Sequence, residues 1–180
     1  MRIVAGTLRG RQLKSPTWEG LRPTSDRLRE TLFNILGPAV RGARVLDGYA
    51  GTGAIGIEAL SRGAAHVTFV EKDARAVKLI ETNLALLGSG ASMKPVIIRA
   101  GLADAVTRLR AQVFDLIILD PPYADSAVAA ALDAAGLLAA GDTRLIVEHA
   151  ARHAPPALHS GLRLQRTVTA GDSALSFYER

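Results

Sequence analysis

From Arg44 to His149, short apolar runs alternate with stretches of helical spacing, and no other feature restricts the fold as much. "ARVLDGYAG" reads as a buried strand running into a glycine turn, and "AIGIEALSRG" as a helix ending at Gly63. The alternation continues through "HVTFVEKD", "ARAVKLIETNLALLG", "KPVIIRAG", "LADAVTRLRAQ", "FDLIILD", "SAVAAALDAAGLLAAG" and "TRLIVEH". Strands that alternate with helices build a parallel sheet covered on both faces, an α/β fold. The closing "LRLQRTVTAGDSALSFYER" reads as two strands joined near Ala170-Gly171-Asp172, which puts an antiparallel strand at the sheet's edge.

Ahead of this unit lies a segment of different character. "IVAGTLRGRQLKSP" predicts a short hairpin with its turn near Leu8 to Gly10. "RPTSDRLRETLFNIL" predicts a helix capped by Thr24 or Ser25, with Leu28, Leu32, Ile35 and Leu36 on one face and a stop at Gly37-Pro38. Residues 1 to 44 carry nine basic and three acidic side chains, a net +6, so the rest of the chain sums to −1. A basic segment on a near-neutral body suits either a polyanion partner or a solvated arginine-rich surface. The chain has no cysteine, which removes disulfides and thiolate metal sites and suits a reducing compartment. Nothing approaches the ~20 apolar residues of a membrane span, so a cytoplasmic protein is expected. His66, His149, His153 and His159 lack metal-ligand spacing, and no metal is expected; Trp18 and Phe33 read as packing residues.

In parallel sheets, ligands sit beyond the carboxyl ends of the strands. Asp47, Glu71 and Asp120 all fall at such ends and should converge on one crevice. Gly51-x-Gly53-x-x-Gly56 matches the dinucleotide fingerprint, and Glu71 stands near the offset of a ribose-binding acid. Asp47 discriminates between ligands. A carboxylate just before the loop would repel a pyrophosphate but attract the ammonium and sulfonium of S-adenosylmethionine. Gly51 and Gly53 let the backbone approach that ligand, and Glu71 can accept both ribose hydroxyls.

"DLIILDPPY" ends a buried strand on a carboxylate and follows it with two prolines and an aromatic ring. Two prolines cannot continue a central strand. An exocyclic amine of a nucleobase is a poor nucleophile, because its lone pair is delocalised. Asp120 and the Pro121 carbonyl can accept its two N–H groups and leave the lone pair facing a methyl donor. Pro121-Pro122 fixes the carbonyl direction, and Tyr123 offers a stacking face worth roughly 1–3 kcal/mol for a flipped base.

These residues resemble those of class I S-adenosylmethionine-dependent methyltransferases that modify exocyclic amines. More narrowly, "MRIVAGTLRGRQL", "LRPTSDRLRETLFNIL", "LDGYAGTGAIGIEALSRGA", "FVEKD" and "DLIILDPPY" resemble the bacterial family that methylates N2 of a guanine in 16S ribosomal RNA. The resemblance covers almost the whole chain, and the second stretch is its most specific part. It implies a Rossmann-like, mostly parallel seven-stranded sheet with an antiparallel C-terminal edge strand. It also implies an extension over residues 1–42 joined to a methyltransferase domain over 43–180 in one compact unit.

It further implies that Asp47, Tyr49, Gly51, Gly53, Glu71 and Gly101 surround the cofactor, and that Asp120, Pro121, Pro122 and Tyr123 hold the guanine. Arg9, Arg11, Arg22, Arg27 and Arg29 become candidates for RNA contact, in a protein expected to act as a monomer on 16S rRNA within the small subunit. Two departures stand out. Gly48-Tyr49 replaces a usual apolar pair, and Ala100 or Gly101 stands where many members bind the adenine amine with Asp or Asn, leaving backbone groups or Asp104 for that contact. Three rivals remain: an adenine-N6 methyltransferase, for which Asp-Pro-Pro-Tyr also serves, an NAD-binding oxidoreductase using the glycine loop, and a non-catalytic RNA-binding module.

Overall fold

The computed structural model describes residues 1–19, 24–88, 95–122 and 125–180, with the side chain of residue 125 left aside. Strands β1 (Arg44–Asp47), β2 (His66–Glu71), β3 (Val96–Arg99), β4 (Leu116–Leu119), β5 (Arg144–Ala150), β6 (Leu158–His159), β7 (Leu162–Ala170) and β8 (Ser173–Glu179) form one sheet in the order β3-β2-β1-β4-β5-β8-β7-β6. The first five pair in parallel, whereas β8 runs antiparallel to both β5 and β7. The fold is therefore the expected α/β sheet with antiparallel C-terminal strands. It gains an eighth strand, the two-residue β6, too short to leave a periodic signal. The pair β7–β8 lies as expected at this end of the sheet, with β8 threaded between β5 and β7 and β6 outermost.

Successive strand residues point to opposite faces, so each apolar run feeds two cores. Val45, Val67, Phe69, Leu116 and Ile118 join a cluster with helices α1 (Asp26–Leu36) and α2 (Ala54–Ser61) and with Ile80 of α3 (Ala74–Ala85). Leu46, Val70, Ile117 and Leu119 join the opposite cluster with α4 (Leu102–Leu109) and α5 (Asp125–Gly136). Ile3, Leu13, Leu28, Leu32 and Phe33 from the amino-terminal segment pack into the first cluster, so this segment shares a core with the sheet.

That segment is held mainly by long-range contacts. Its hairpin is reduced to a bridge between Arg2 and Gln12, with a turn around Leu8 to Gly10. The Val4 and Ala5 amides donate to the Glu58 carboxylate at 2.7 and 2.9 Å. Gly6 passes so close to α2 that a Cβ there would lie 1.9 Å from the Ser61 carbonyl oxygen. The buried Asn83 side chain accepts from the Lys14 amide and donates to the Lys14 and Thr52 carbonyls. Ser25 caps α1 by accepting from the Leu28 amide at 3.1 Å, and Gly37, at φ +52°, ends it.

Candidate active site

The chain runs from β1 outward through β2 and β3, then returns to the other side of β1 with β4. Beyond this reversal a doubly covered sheet opens a crevice. A cavity of about 540 Å³ occupies it, lined by the loop after β1 (Gly48 to Thr52), the ends of β2 and β4, and the start of α4. Thr24, Ser25 and Leu28 line it too, so the start of α1 borders the cleft.

Glu71 ends β2 inside the cavity and organises the loop. One carboxylate oxygen accepts the Gly51 amide and the other the Asp73 amide, each at 2.8 Å. Gly51 and Gly53 adopt φ +52° and +78°, a region that favours residues without a Cβ. Gly56 serves packing: a Cβ there would lie 2.2 Å from the Phe69 ring, so its absence lets α2 lie against β2.

Asp47, expected among the residues that surround the cofactor, stands at the end of β1 next to the loop. Its side chain is 1% exposed, lies behind the loop rather than on the cavity lining, and accepts the Gly56 amide at 2.9 Å. Burial pushes its carboxyl up to about 7; the Gly56 bond opposes that, and the charges of Asp120 and Glu71 add to it. The three acids thus share one electrostatic neighbourhood. Gly51, Gly53 and Gly56 all direct their amides inward, to Glu71, to the Ala50 carbonyl and to Asp47.

Asp120 follows β4 and lines the cavity with Pro121 and Pro122. Pro121 is buried and Pro122 exposed. Thr24 donates its hydroxyl to Asp120 Oδ2 at 2.8 Å, while Ser25 alone caps the helix. Tyr49 and Gly101 also line the cavity; burial pushes the Tyr49 phenol up. Tyr123 and Arg22 lie outside the described residues.

The candidate RNA arginines separate. Arg9 and Arg27 are exposed. Arg11 is exposed and donates to the Leu86 and Leu87 carbonyls at the end of α3. Arg29 must be corrected, because it is fully buried and has no surface to offer RNA. Its guanidinium bonds the Arg2 and Thr24 carbonyls and Asp26, and its Nε lies 3.6 Å from Glu58, an ion pair too long for a hydrogen bond. Glu58, itself buried, also pairs with Arg62 at 2.8 Å. The helical spacing that placed Arg29 on α1 says nothing of its face until Glu58 is seen opposite.

Further residues line the cavity that the sequence reading does not place there. Trp18, expected to serve packing, lines it with the Arg75 guanidinium 5.1 Å above its ring. Glu148 and Ser173 line it as well. Glu148 does obey the rule that picks out Asp47, Glu71 and Asp120, a carboxylate near the carboxyl end of a parallel strand. Among the described residues, no group of His, Asp and Glu is placed to hold a metal ion, and no helix is long and apolar enough to cross a membrane.

The family described as conserved hypothetical protein 95 matches residues 1–179. A protein of Escherichia coli K12 called ribosomal RNA small subunit methyltransferase D is 36% identical over 185 residues, covering 100% of this chain and 90% of that protein. The protein of the same name from Haemophilus influenzae is 43% identical over 123 residues, 68% of this chain and 64% of its own length. The solved structure of the Escherichia coli protein yhhF, described as a candidate methyltransferase, superposes with a TM-score of 0.82 at 33% identity, over 100% of this chain and 97% of that one. The chain belongs to the conserved hypothetical protein 95 family and is a relative of the ribosomal RNA small subunit methyltransferases D.

Proposed function

We propose that this chain transfers a methyl group from S-adenosylmethionine to the exocyclic N2 amine of a guanine in 16S rRNA, acting as a cytoplasmic monomer on the small ribosomal subunit. The observation that carries the reading is the meeting in one cavity of the Glu71-braced glycine turn with Asp120 and Pro121.

The donor set suits a cationic ligand without phosphate. A dinucleotide site presents loop amides to a pyrophosphate. Here the Gly51 and Gly56 amides are already taken by carboxylates. A diphosphate would face Glu71, with Asp47 behind it, at a cost of a few kcal/mol. S-adenosylmethionine, when bound, supplies a methyl group on a positively charged sulfur. Glu71 would hold the ribose, since each of its oxygens keeps a lone pair beyond its backbone bond. Gly51 and Gly53 would admit the methionine portion, Gly101 and Tyr49 would border the cofactor, and Asp47 would favour the cation from behind the loop.

On the substrate side, Asp120 and the Pro121 carbonyl would accept the two N–H groups of the amine, with Pro122 stiffening the turn and Tyr123 stacking on the base. A carboxylate is far too weak a base to ionise an aryl amine beforehand, so Asp120 would orient the nucleophile. The N–CH3 bond would form as the S–CH3 bond breaks, S-adenosylhomocysteine would leave, and the amine would lose its proton to Asp120 with or after the transfer. Alignment and electrostatics supply the rate. The exposed Arg9, Arg11 and Arg27, with Arg22 in the same basic segment, would meet RNA phosphates.

The test is methyl transfer from labelled cofactor to undermethylated small subunits, with the product base identified. N2-methylguanine is expected from the intact protein, and Asp120→Ala should lose several orders of magnitude in turnover. Methylated adenine as the product, or undiminished turnover by the variant, overturns the reading.

A further inference from the structure

We infer that Glu148 selects guanine, by accepting the N1–H of the base whose 2-amino group Asp120 holds. The inference rests on the guanine-N2 reading above and names the residue that enforces it. β4 and β5 pair in parallel with Leu119 beside Val147, so the next residues, Asp120 and Glu148, follow side by side where β4 ends and β5 runs on to Ala150. Both line the cavity, and Glu148 does so while only 6% exposed. A carboxylate has about four acceptor positions on its two oxygens, so Glu148 can accept a ligand's N–H in addition to its contacts within the protein.

The edges of the bases differ at this point. Guanine carries two N–H bonds on N2 and a third on the neighbouring N1, three donors in a row that match two adjacent carboxylates and the Pro121 carbonyl. Adenine and cytosine also carry an amino group, but the ring nitrogen beside it is a bare acceptor. Set against Glu148, that nitrogen would place lone pair against lone pair in a site shielded from water. Sites built to pair a buried polar group reject a ligand that leaves it unmatched. Ser173 of β8, paired with Ala150 two residues beyond Glu148, also lines the cavity, and a hydroxyl there can both donate and accept. Glu148 therefore separates guanine-N2 from adenine-N6 chemistry, which the Asp-Pro-Pro-Tyr turn alone serves equally.

The decisive probe is 2-aminopurine, which keeps the 2-amino group but has no proton on N1. Small subunits are reconstituted with ribosomal RNA carrying guanine or 2-aminopurine at the target position, and kcat/KM is measured for the wild type, Glu148→Gln and Glu148→Asp. The wild type should prefer guanine by about 10- to 100-fold. Glu148→Gln, whose amide can donate to a bare N1, should shrink that ratio at least about tenfold, with S-adenosylhomocysteine affinity kept as the measure of an intact fold. Glu148→Asp should retain the preference at a lower rate. Equal use of both bases by the wild type overturns the inference even if the variants do not fold. So does an unchanged ratio in a folded Glu148→Gln. A wild type that methylates neither base but modifies adenine instead defeats the guanine-N2 reading itself.

Discussion

Asp47→Asn should remove a pH-dependent penalty that the folded protein carries. In the folded chain the Asp47 carboxyl titrates at about 7, against 3.8 for an unperturbed aspartate, chiefly because it is buried. The unfolded chain therefore gives up this proton first. Asp47 leaves stability undiminished below the unfolded value, lowers it as pH rises toward 7, and has its full effect above that. The separation corresponds to about 4 kcal/mol, with a slope of up to about 1.4 kcal/mol per pH unit. Asparagine keeps an oxygen for the Gly56 amide but cannot ionise.

Urea unfolding of both proteins without cofactor, from pH 4 to pH 8, gives the difference in unfolding free energy. That difference should rise in favour of the variant by about 4 kcal/mol across the range. Its offset carries no information, because the new amide N–H groups add a constant cost of about 1–3 kcal/mol if unmet. Titrating groups that do not act on Asp47 cancel in the subtraction, whereas Asp120 and Glu71 are coupled to it and contribute to the difference. A difference flat with pH, or one that falls, refutes the argument. The same linkage gives binding a direction: a cation in the cleft favours ionised Asp47, so S-adenosylmethionine should bind the wild type more tightly as pH rises through 7, and this gain should shrink in Asp47→Asn.

The other predictions separate structural residues from those proposed to meet RNA. Arg29→Met should destabilise the protein by about 3–5 kcal/mol, lowering Tm by roughly 6–20 °C in calorimetry, because it breaks the buried pairing with Glu58. Arg9→Gln and Arg27→Gln should leave Tm unchanged, weaken RNA binding, and each reduce the slope of log affinity against log salt by about 1 in titrations. Gly56→Ala should cost about 1–3 kcal/mol or more in urea unfolding, because its methyl group must displace the Phe69 ring or the helix behind it.

The sheet is legible in the sequence because its strands are apolar runs ended by acids and separated by helical spacing, which leaves few other arrangements. Strand β6 is not, since two residues carry no period. The acids at β1, β2 and β4 are located by the rule that ligands lie beyond strand ends, but strand position does not give side-chain direction. Asp47 is therefore located at the right end of β1, while its burial behind the loop and its bond to the Gly56 amide carry no sequence signal. Glu148 satisfies that rule too, yet it sits inside an apolar stretch that masks it. Arg29 and Trp18 mislead for a common reason. Whether a cation or an indole ends in the core or at a cleft depends on partners such as Glu58 and Arg75, remote in sequence, which no local pattern reveals.

The anchors of the amino-terminal segment fix an order of events during synthesis. Val4 and Ala5 wait for Glu58, Lys14 for Asn83, Arg11 for Leu87, and Thr24 for Asp120, a delay of 96 residues in the last case. At about 5–20 residues per second, roughly 5–20 s separate the synthesis of Thr24 from that of Asp120, the last of these partners. The portion translated first is thus fastened in stages by residues made later, and the cleft gains its Thr24 border only after the Asp120-Pro121-Pro122 stretch has left the ribosome.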